Sequence, residues 1–350
     1  MPLPRPRGAR RRRHREAVFG GTPALRTGLP ERSDPALDVT AGMILDASPH
    51  LLVLRTADGE ARLPMTDATR IWHGGRGGLA ALRPGREVIV RPKADGLGAD
   101  RVWVDIARVT GTILACGDDS VDVDMGPHRG RAHVVIPPHA LGRVLVRHPR
   151  LQPGYLIDVV CVRSAGGPQA VRPGTSQPGY RADDLAAPEA STPVPEVLHG
   201  TATWFGDVTT RGGTWPDAGQ RGSGVGQVPG SRPVPGSFGA AYPAVDPEGD
   251  GGGCADAPSG CVALPYLSLG SEVTVHNECG GRSATVPVVE CGCVAARYCD
   301  RCVECGTSPR GRIVELTPAA FVGLGGELEA GCFNAVVRPH VPAMAMGRAR

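Results

Sequence analysis

Apolar and polar residues alternate along this chain in short runs rather than in long helical stripes. Leu51-Leu-Val-Leu54, Ala61-Arg-Leu-Pro-Met65, Val88-Ile-Val90, Val121-Asp-Val-Asp124 and Ile157-Asp-Val-Val160 are bounded by turn residues, as strands of a small sheet are. Val273-Thr-Val275 and Ser283–Val289 alternate in the same way. Thr317-Pro-Ala-Ala-Phe321 reads as a helix start, with threonine as N-cap and proline at the first helical position. The pattern predicts an all-β chain with little helix.

The early runs are duplicated. Ala41-Gly-Met-Ile-Leu45 returns as Thr110-Gly-Thr-Ile-Leu114, and Leu82-Arg-Pro-Gly85 as Leu151-Gln-Pro-Gly154, each 69 residues later (42 to 111, 84 to 153). One offset at both ends of the unit marks an internal repeat. Units of this size and turn spacing predict two tandem small OB- or SH3-like β-barrels, over residues 39–95 and 108–163. Trp72, Tyr155 and, between the two units, Trp103 are the only aromatics from 39 to 163 and are scattered, which favours a structural or spacer role over oligonucleotide binding.

Composition refines the layout. Among 350 residues, 50 glycines and 34 prolines suit short strands, turns and linkers. Residues 164–198 read as a Pro/Gly-rich linker, and residues 211–259 as a Gly/Pro-rich insertion within a final domain spanning 199–340. Seven arginines fall in the first fifteen residues, and residues 1–38 read as a disordered Arg-rich tail. Its functional alternative is an arm for nucleic acid or an acidic polymer. Lys93 is the only lysine among 38 basic residues, so the arginine bias looks like GC-rich codon usage, and a net charge of +3 adds little. No apolar run is long enough for a signal peptide or a membrane span.

Nine of the eleven cysteines follow residue 250: Cys254, Cys261, Cys279, Cys291, Cys293, Cys299, Cys302, Cys305 and Cys332. Cys116 and Cys161 read as ordinary buried thiols. Two chemistries fit the cluster. A four-thiolate zinc site could use Cys291, Cys293, Cys299 and Cys302, leaving Cys305 over, because Cys299-x-x-Cys302-x-x-Cys305 overlaps itself. The other is a disulfide network that staples residues 291–305 as an insertion.

Four blocks in order carry a resemblance. They are Gly200-Thr-Ala-Thr-Trp-Phe-Gly-Asp207, Cys261-Val-Ala-Leu-Pro-Tyr-Leu-Ser-Leu-Gly-Ser271, His276–Gly292 with Gly281-Arg-Ser283 inside it, and Gly311-Arg-Ile-Val-Glu-Leu-Thr-Pro-Ala-Ala-Phe-Val-Gly-Leu-Gly325. Together they resemble the RlpA-like double-psi β-barrel family, related to expansins and barwin. The resemblance covers roughly residues 199–338 and implies a six-stranded double-psi β-barrel with a short helix and a groove across one face. In catalytic relatives an acidic residue in that groove cleaves a glycan, commonly peptidoglycan.

The family's two aspartates fall on Glu290 and Glu315 here. Glycosidic cleavage needs a proton delivered to the leaving oxygen, which a sheltered carboxyl of raised pKa can supply. Glu290 is therefore the candidate general acid, and Glu315 a partner that orients groups or tunes it. Thr203, Trp204, Phe205 and Asp207 are candidate substrate-binding residues. The family's loop histidine is Leu264 here, and the arginine after the first aspartate is Cys291, losses that suggest weakened chemistry or a barrel kept for binding.

The resulting expectation is a cell-wall-directed protein, acting on peptidoglycan in the manner of a lytic transglycosylase or glycosidase, without a cofactor. It would be extracellular or virion-associated, and disulfide-bonded as barwin-like relatives are. Cell-wall polysaccharide is the expected partner, with virion or wall-assembly proteins possible beside it. The alternatives are a non-catalytic glycan-binding or phage virion structural protein, and a zinc-containing nucleic-acid binder; nucleic acid is not the expected partner.

Overall fold

The computed structural model describes residues 34–36, 38–75, 77–175, 196–206, 236–245, 262, 264–299 and 311–340. Most of the Arg-rich tail and of the 164–198 linker, Asp207, Cys254, Cys261, Cys302, Cys305 and the side chain of Cys293 lie outside the described residues.

Strand β1 (Asp34–Pro35) precedes the first repeat: β2 (Thr40–Ala47), β3 (Leu51–Thr56), β4 (Gly59–Pro64), β5 (Arg70–Trp72), β6 (Glu87–Pro92) and β7 (Ala99–Val104). These six form a sheet in the order β4-β3-β2-β6-β7-β5. Its alternation sorts the side chains. Leu52 and Leu54 are buried while their neighbours in β3 stay partly exposed, and they meet Ile44, Val88, Val90 and Val102 in one core.

The second repeat contains β8 (Ile106–Cys116), β9 (Ser120–Asp124), β10 (Arg131–Val135), helix α1 (Pro138–Arg147), β11 (Leu156–Ser164) and β12 (Gly167–Pro173). It closes into a five-stranded barrel, β10-β12-β11-β8-β9, around Val109, Ile113, Val123, Val134, Ile157 and Val159. The closing strand β12 falls inside the stretch that reads as linker. It pairs antiparallel with β11 and meets β10 at Val135–Gln169. Two prolines and a glycine in its seven residues hide it from any periodicity test. Cys161 is buried as expected, whereas Cys116 is exposed, in the solvent-facing last three residues of β8.

The duplication holds at the level of single hydrogen bonds. A β-bulge between Ile44 and Asp46 recurs between Ile113 and Ala115. Gly85 donates its N–H to the Ile44 carbonyl at 2.8 Å, and Gly154 donates to the Ile113 carbonyl at 2.8 Å. Gly42 and Gly111 are required by the close approach of the paired neighbour strand: a Cβ would collide with the carbonyl of Arg55 in one copy and of Asp124 in the other.

The last body comprises β13 (Leu198–Trp204), β14 (Ala240–Tyr242), β15 (Glu272–Asn277), β16 (Arg282–Cys291), β17 (Arg312–Leu316), helix α2 (Pro318–Gly323) and β18 (Cys332–His340). The strands run β16-β14-β17-β13-β18-β15, and a β15–β16 pairing completes the ring. The pairs β13–β17 and β14–β16 are parallel. It is a closed six-stranded barrel with a short helix, an arrangement compatible with a double-psi barrel. Strand β14 lies within the stretch that reads as insertion, too short to stand out among glycines and prolines. The expected helix start is present: the Thr317 hydroxyl accepts the Ala320 N–H, with Pro318 first in the helix.

Both repeats pack against this barrel. Trp72, Trp103, Ile106, Val160 and Val162 share one apolar core with Trp204, Tyr242, Val275, Val314 and Phe321. Each large apolar side chain taken from water contributes roughly 1.5–3 kcal/mol, so this shared core joins the bodies firmly. Strand β1 adds to the barrel as well, parallel to β16 at Arg282 and Ser283.

Candidate functional site

Strand geometry places the two candidate acids. In β16, Val286, Val288 and Cys291 belong to the barrel core. Strict alternation would send Glu290 inward with the two valines, but the register with β14 shifts between Val288 and Glu290, and Glu290 keeps its side chain 18% exposed. In β17, Val314 and Leu316 point inward and Glu315 outward. Strand β14 lies between them, with Ala241 opposite both Glu290 and Glu315. On the other side of β17, Thr203 is the register partner of Glu315. All five residues of β17 are nonetheless buried, because its outer face is covered by the second repeat.

The covering element is the hairpin between β9 and β10. Its Arg129 enters the space between the acids and bridges them. Nε donates to Glu290 Oε1 at 2.6 Å, and Nη1 donates to Glu315 Oε2 at 2.7 Å. The guanidinium also lies over the Phe205 ring, 4.5 Å from its centre. Burial alone would lower the Arg129 pKa, but Glu315 and Glu290 outweigh it and raise the value further.

Glu315 continues the network inward. Arg312 Nη1 donates to Glu315 Oε1 at 2.9 Å, and Arg312 Nη2 donates to Asp158 Oδ2 of the second repeat at 2.5 Å. Asp158 also receives Arg108 Nε at 2.8 Å and the Thr175 hydroxyl at 2.9 Å. Burial pushes the Glu315 carboxyl up, yet Arg129, Arg312 and Arg108 outweigh that and hold it below the usual carboxylate range. Asp158 follows the same balance: burial raises it, and Arg108 and Arg312 bring it lower still. Glu315 is therefore a carboxylate in an ionic lattice, the opposite of a proton donor.

The remaining candidates divide. Thr203 and Trp204 are fully buried and Phe205 nearly so. Trp204 donates its indole N–H to the Leu328 carbonyl at 2.8 Å, and Arg108 lies over its ring at 5.7 Å. The two aromatics thus meet arginines of the second repeat. Leu264 packs against the core.

After β16 the chain makes a 3-10 turn over Cys293–Arg297 and then buries Tyr298. The Tyr298 hydroxyl reaches the carbonyls of Gly111 at 3.0 Å and Ile157 at 2.6 Å, both in the second repeat. Arg312 stacks on the same ring at 4.1 Å. The start of the cysteine-rich segment is thus a docking element. Cys279, Cys291 and Cys299 carry disulfide-bonded sulfurs. Of the alternative zinc set, Cys302 and the Cys293 side chain lie outside the described residues; among those described, no three His, Cys, Asp or Glu residues are grouped to hold a metal.

The first repeat docks by a second set of charges. Arg91 and Arg101 each contact Glu327 at 2.8 Å, in the loop after α2. Arg101 also pairs with Glu329, to which the Trp103 indole N–H donates at 2.5 Å.

Sequence reasoning missed Arg129, Arg108, Arg312, Asp158 and Tyr298. Arginine is so common here that no single one stands out, and Asp158 and Tyr298 sit in apolar or cysteine-rich runs. One signal was available: Gly126-Pro-His-Arg-Gly130 is longer than the turn at the same place in the first repeat.

Fold and site together define an all-β protein whose closed six-stranded barrel binds an arginine of the preceding barrel between two glutamates. No family model and no curated protein matches the chain. No described helix is long and apolar enough to cross a membrane.

Proposed function

We propose that the chain is a non-catalytic structural protein of the RlpA-like double-psi class, working at the cell wall or on a virion. Its groove serves to seat the neighbouring barrel rather than to cleave a glycan. The observation that carries this reading is Arg129 bridging Glu290 and Glu315. A general acid must hold a proton next to the glycosidic oxygen. Here a guanidinium engages both candidate acids, and three arginines keep the buried partner acid ionised. The losses at Leu264 and Cys291 point the same way. Disulfide-bonded Cys279, Cys291 and Cys299 fit oxidising surroundings such as the wall or a virion exterior. They also disfavour the zinc-bearing nucleic-acid binder, since zinc needs thiolates and two of its four proposed ligands, Cys291 and Cys299, are bonded.

The test is digestion. Purified full chain and its Arg129→Ala variant are incubated with peptidoglycan, and soluble muropeptides are measured. Neither should release any. Release by either protein, abolished by Glu290→Gln, would overturn the proposal and restore the glycan-cleaving reading.

A further inference from the structure

We propose that the cleft between Glu290 and Glu315 is a guanidinium-binding site, with Arg129 as resident ligand. The ligand class it takes when the hairpin moves aside is an arginine side chain presented by a second polypeptide. This rests on the reading that these acids hold a cation rather than a proton.

Three features make the cleft a built site rather than an acidic patch. The carboxylates come from separate strands and converge so that one guanidinium spans both, at 2.6 and 2.7 Å. A planar fork matches that spread, whereas an ammonium would offer one point of charge. The Phe205 ring supplies a flat floor beneath the cation, 4.5 Å from the ring centre to the guanidinium carbon. Glu315 is 99% buried and ionised, so the cleft carries fixed negative charge in a site poor in water.

The resident ligand fits incompletely. Thr203 is fully buried in register beside Glu315, and its hydroxyl has no hydrogen-bond partner. Arg129 Nη2 is likewise buried and unpartnered. A buried polar group without a partner is costly, so a ligand that satisfies Thr203, while Arg129 Nη2 is released to water, can compete with the hairpin. The hairpin is suited to exchange. Gly126 and Gly130 bound it with φ of 93° and 70°, Pro127 and His128 between them are exposed, and its tip is held by short-range bonds such as Met125 N–H to the Gly130 carbonyl.

The experiment empties the site and refills it. Arg129→Ala in the full chain is titrated with N-acetyl-arginine amide while the thermal midpoint is followed, with N-acetyl-citrulline amide as the uncharged isostere. The arginine compound should raise the midpoint saturably, by roughly 2–4 °C near saturation, and the citrulline compound should not. The shift should vanish in Arg129→Ala/Glu290→Gln. If Arg129→Ala does not fold, Arg129→Gln, which keeps the side-chain shape, carries the same titration. No saturable shift, or an equal shift with citrulline or without Glu290, overturns the site. Muropeptide release is a separate readout, so failure of the structural reading is distinguishable from failure of this one.

Discussion

The two repeats share strands, bulges and turn hydrogen bonds, and both meet the six-stranded barrel through apolar contacts and ion pairs, yet at one pair of equivalent positions their chemistry is opposite. Val39 and Ile89 of the first repeat pack against its apolar core. The positions 69 residues later are Arg108 and Asp158, which form the buried ionic hub. The hairpins diverge too. In the first repeat Thr56 pairs with Gly59 across a two-residue turn, Ala57-Asp58, that is exposed. In the second, Met125 bonds to Gly130 around four residues, and the extra length lets Arg129 reach the barrel. A duplicated scaffold thus carries either an apolar or an ionic interface, because sheet geometry fixes where a position points but not what it must be.

The ionic version should be the more fragile to single changes. Asp158→Ala leaves Arg108 and Arg312 buried without their shared carboxylate, and should cost about 3–5 kcal/mol in denaturant unfolding. Replacing the pair with the first repeat's residues, Arg108→Val with Asp158→Ile, removes one of the two stranded cations and leaves Arg312 its ion pair with Glu315, so it should cost less than Asp158→Ala without being neutral. A double variant as unstable as Asp158→Ala would break the equivalence between the two interfaces.

Acid separates the interfaces by a different route. Glu315 and Asp158 both have folded-state pKa values lowered from their ordinary range. Such groups contribute stability that is fully present above their unfolded values, about pH 4, and that is lost as pH falls through the folded values. Unfolding free energy should therefore be insensitive to these groups between pH 5 and 8, then fall by about 1.4 kcal/mol per pH unit for each group in the acid limb. The double apolar variant should remove the Asp158 share of that limb and leave the share of Glu315, which keeps Arg129 and Arg312. An unchanged acid limb would place the pH-sensitive charge elsewhere.

How much of this was legible in the sequence follows from the same contrast. The repeat was readable because Gly42, Gly111 and the Pro-Gly turns are imposed by backbone geometry, which leaves an identity trace. Glu290 and Glu315 were readable as a pair through the family blocks. Their partner was not, because Arg129 lies 161 residues from Glu290 and its meaning depends on two bodies docking. The uniform 69-residue offset also concealed the longer second hairpin, since the chain between it and Pro153 is shorter by a compensating amount. Strands β12 and β14 were lost for a simpler reason: barrel closure, not periodicity, makes them strands.

The smallest effect concerns the cysteine-rich segment. Tyr298 joins it to the second repeat through two carbonyls, of Gly111 and Ile157, that lie on adjacent strands β8 and β11. The corresponding carbonyls of the first repeat belong to Gly42 and Val88, and no described tyrosine hydroxyl bonds to them. Tyr298→Phe keeps the ring beneath Arg312 and removes only the hydroxyl, so it should cost about 1 kcal/mol in denaturant unfolding. Tyr298→Ala also removes the buried ring and should cost about 3–5 kcal/mol. If Phe costs as much as Ala, the hydroxyl and not the stacked ring holds the segment in place, and the segment's role shifts from packing to a specific latch on the second barrel.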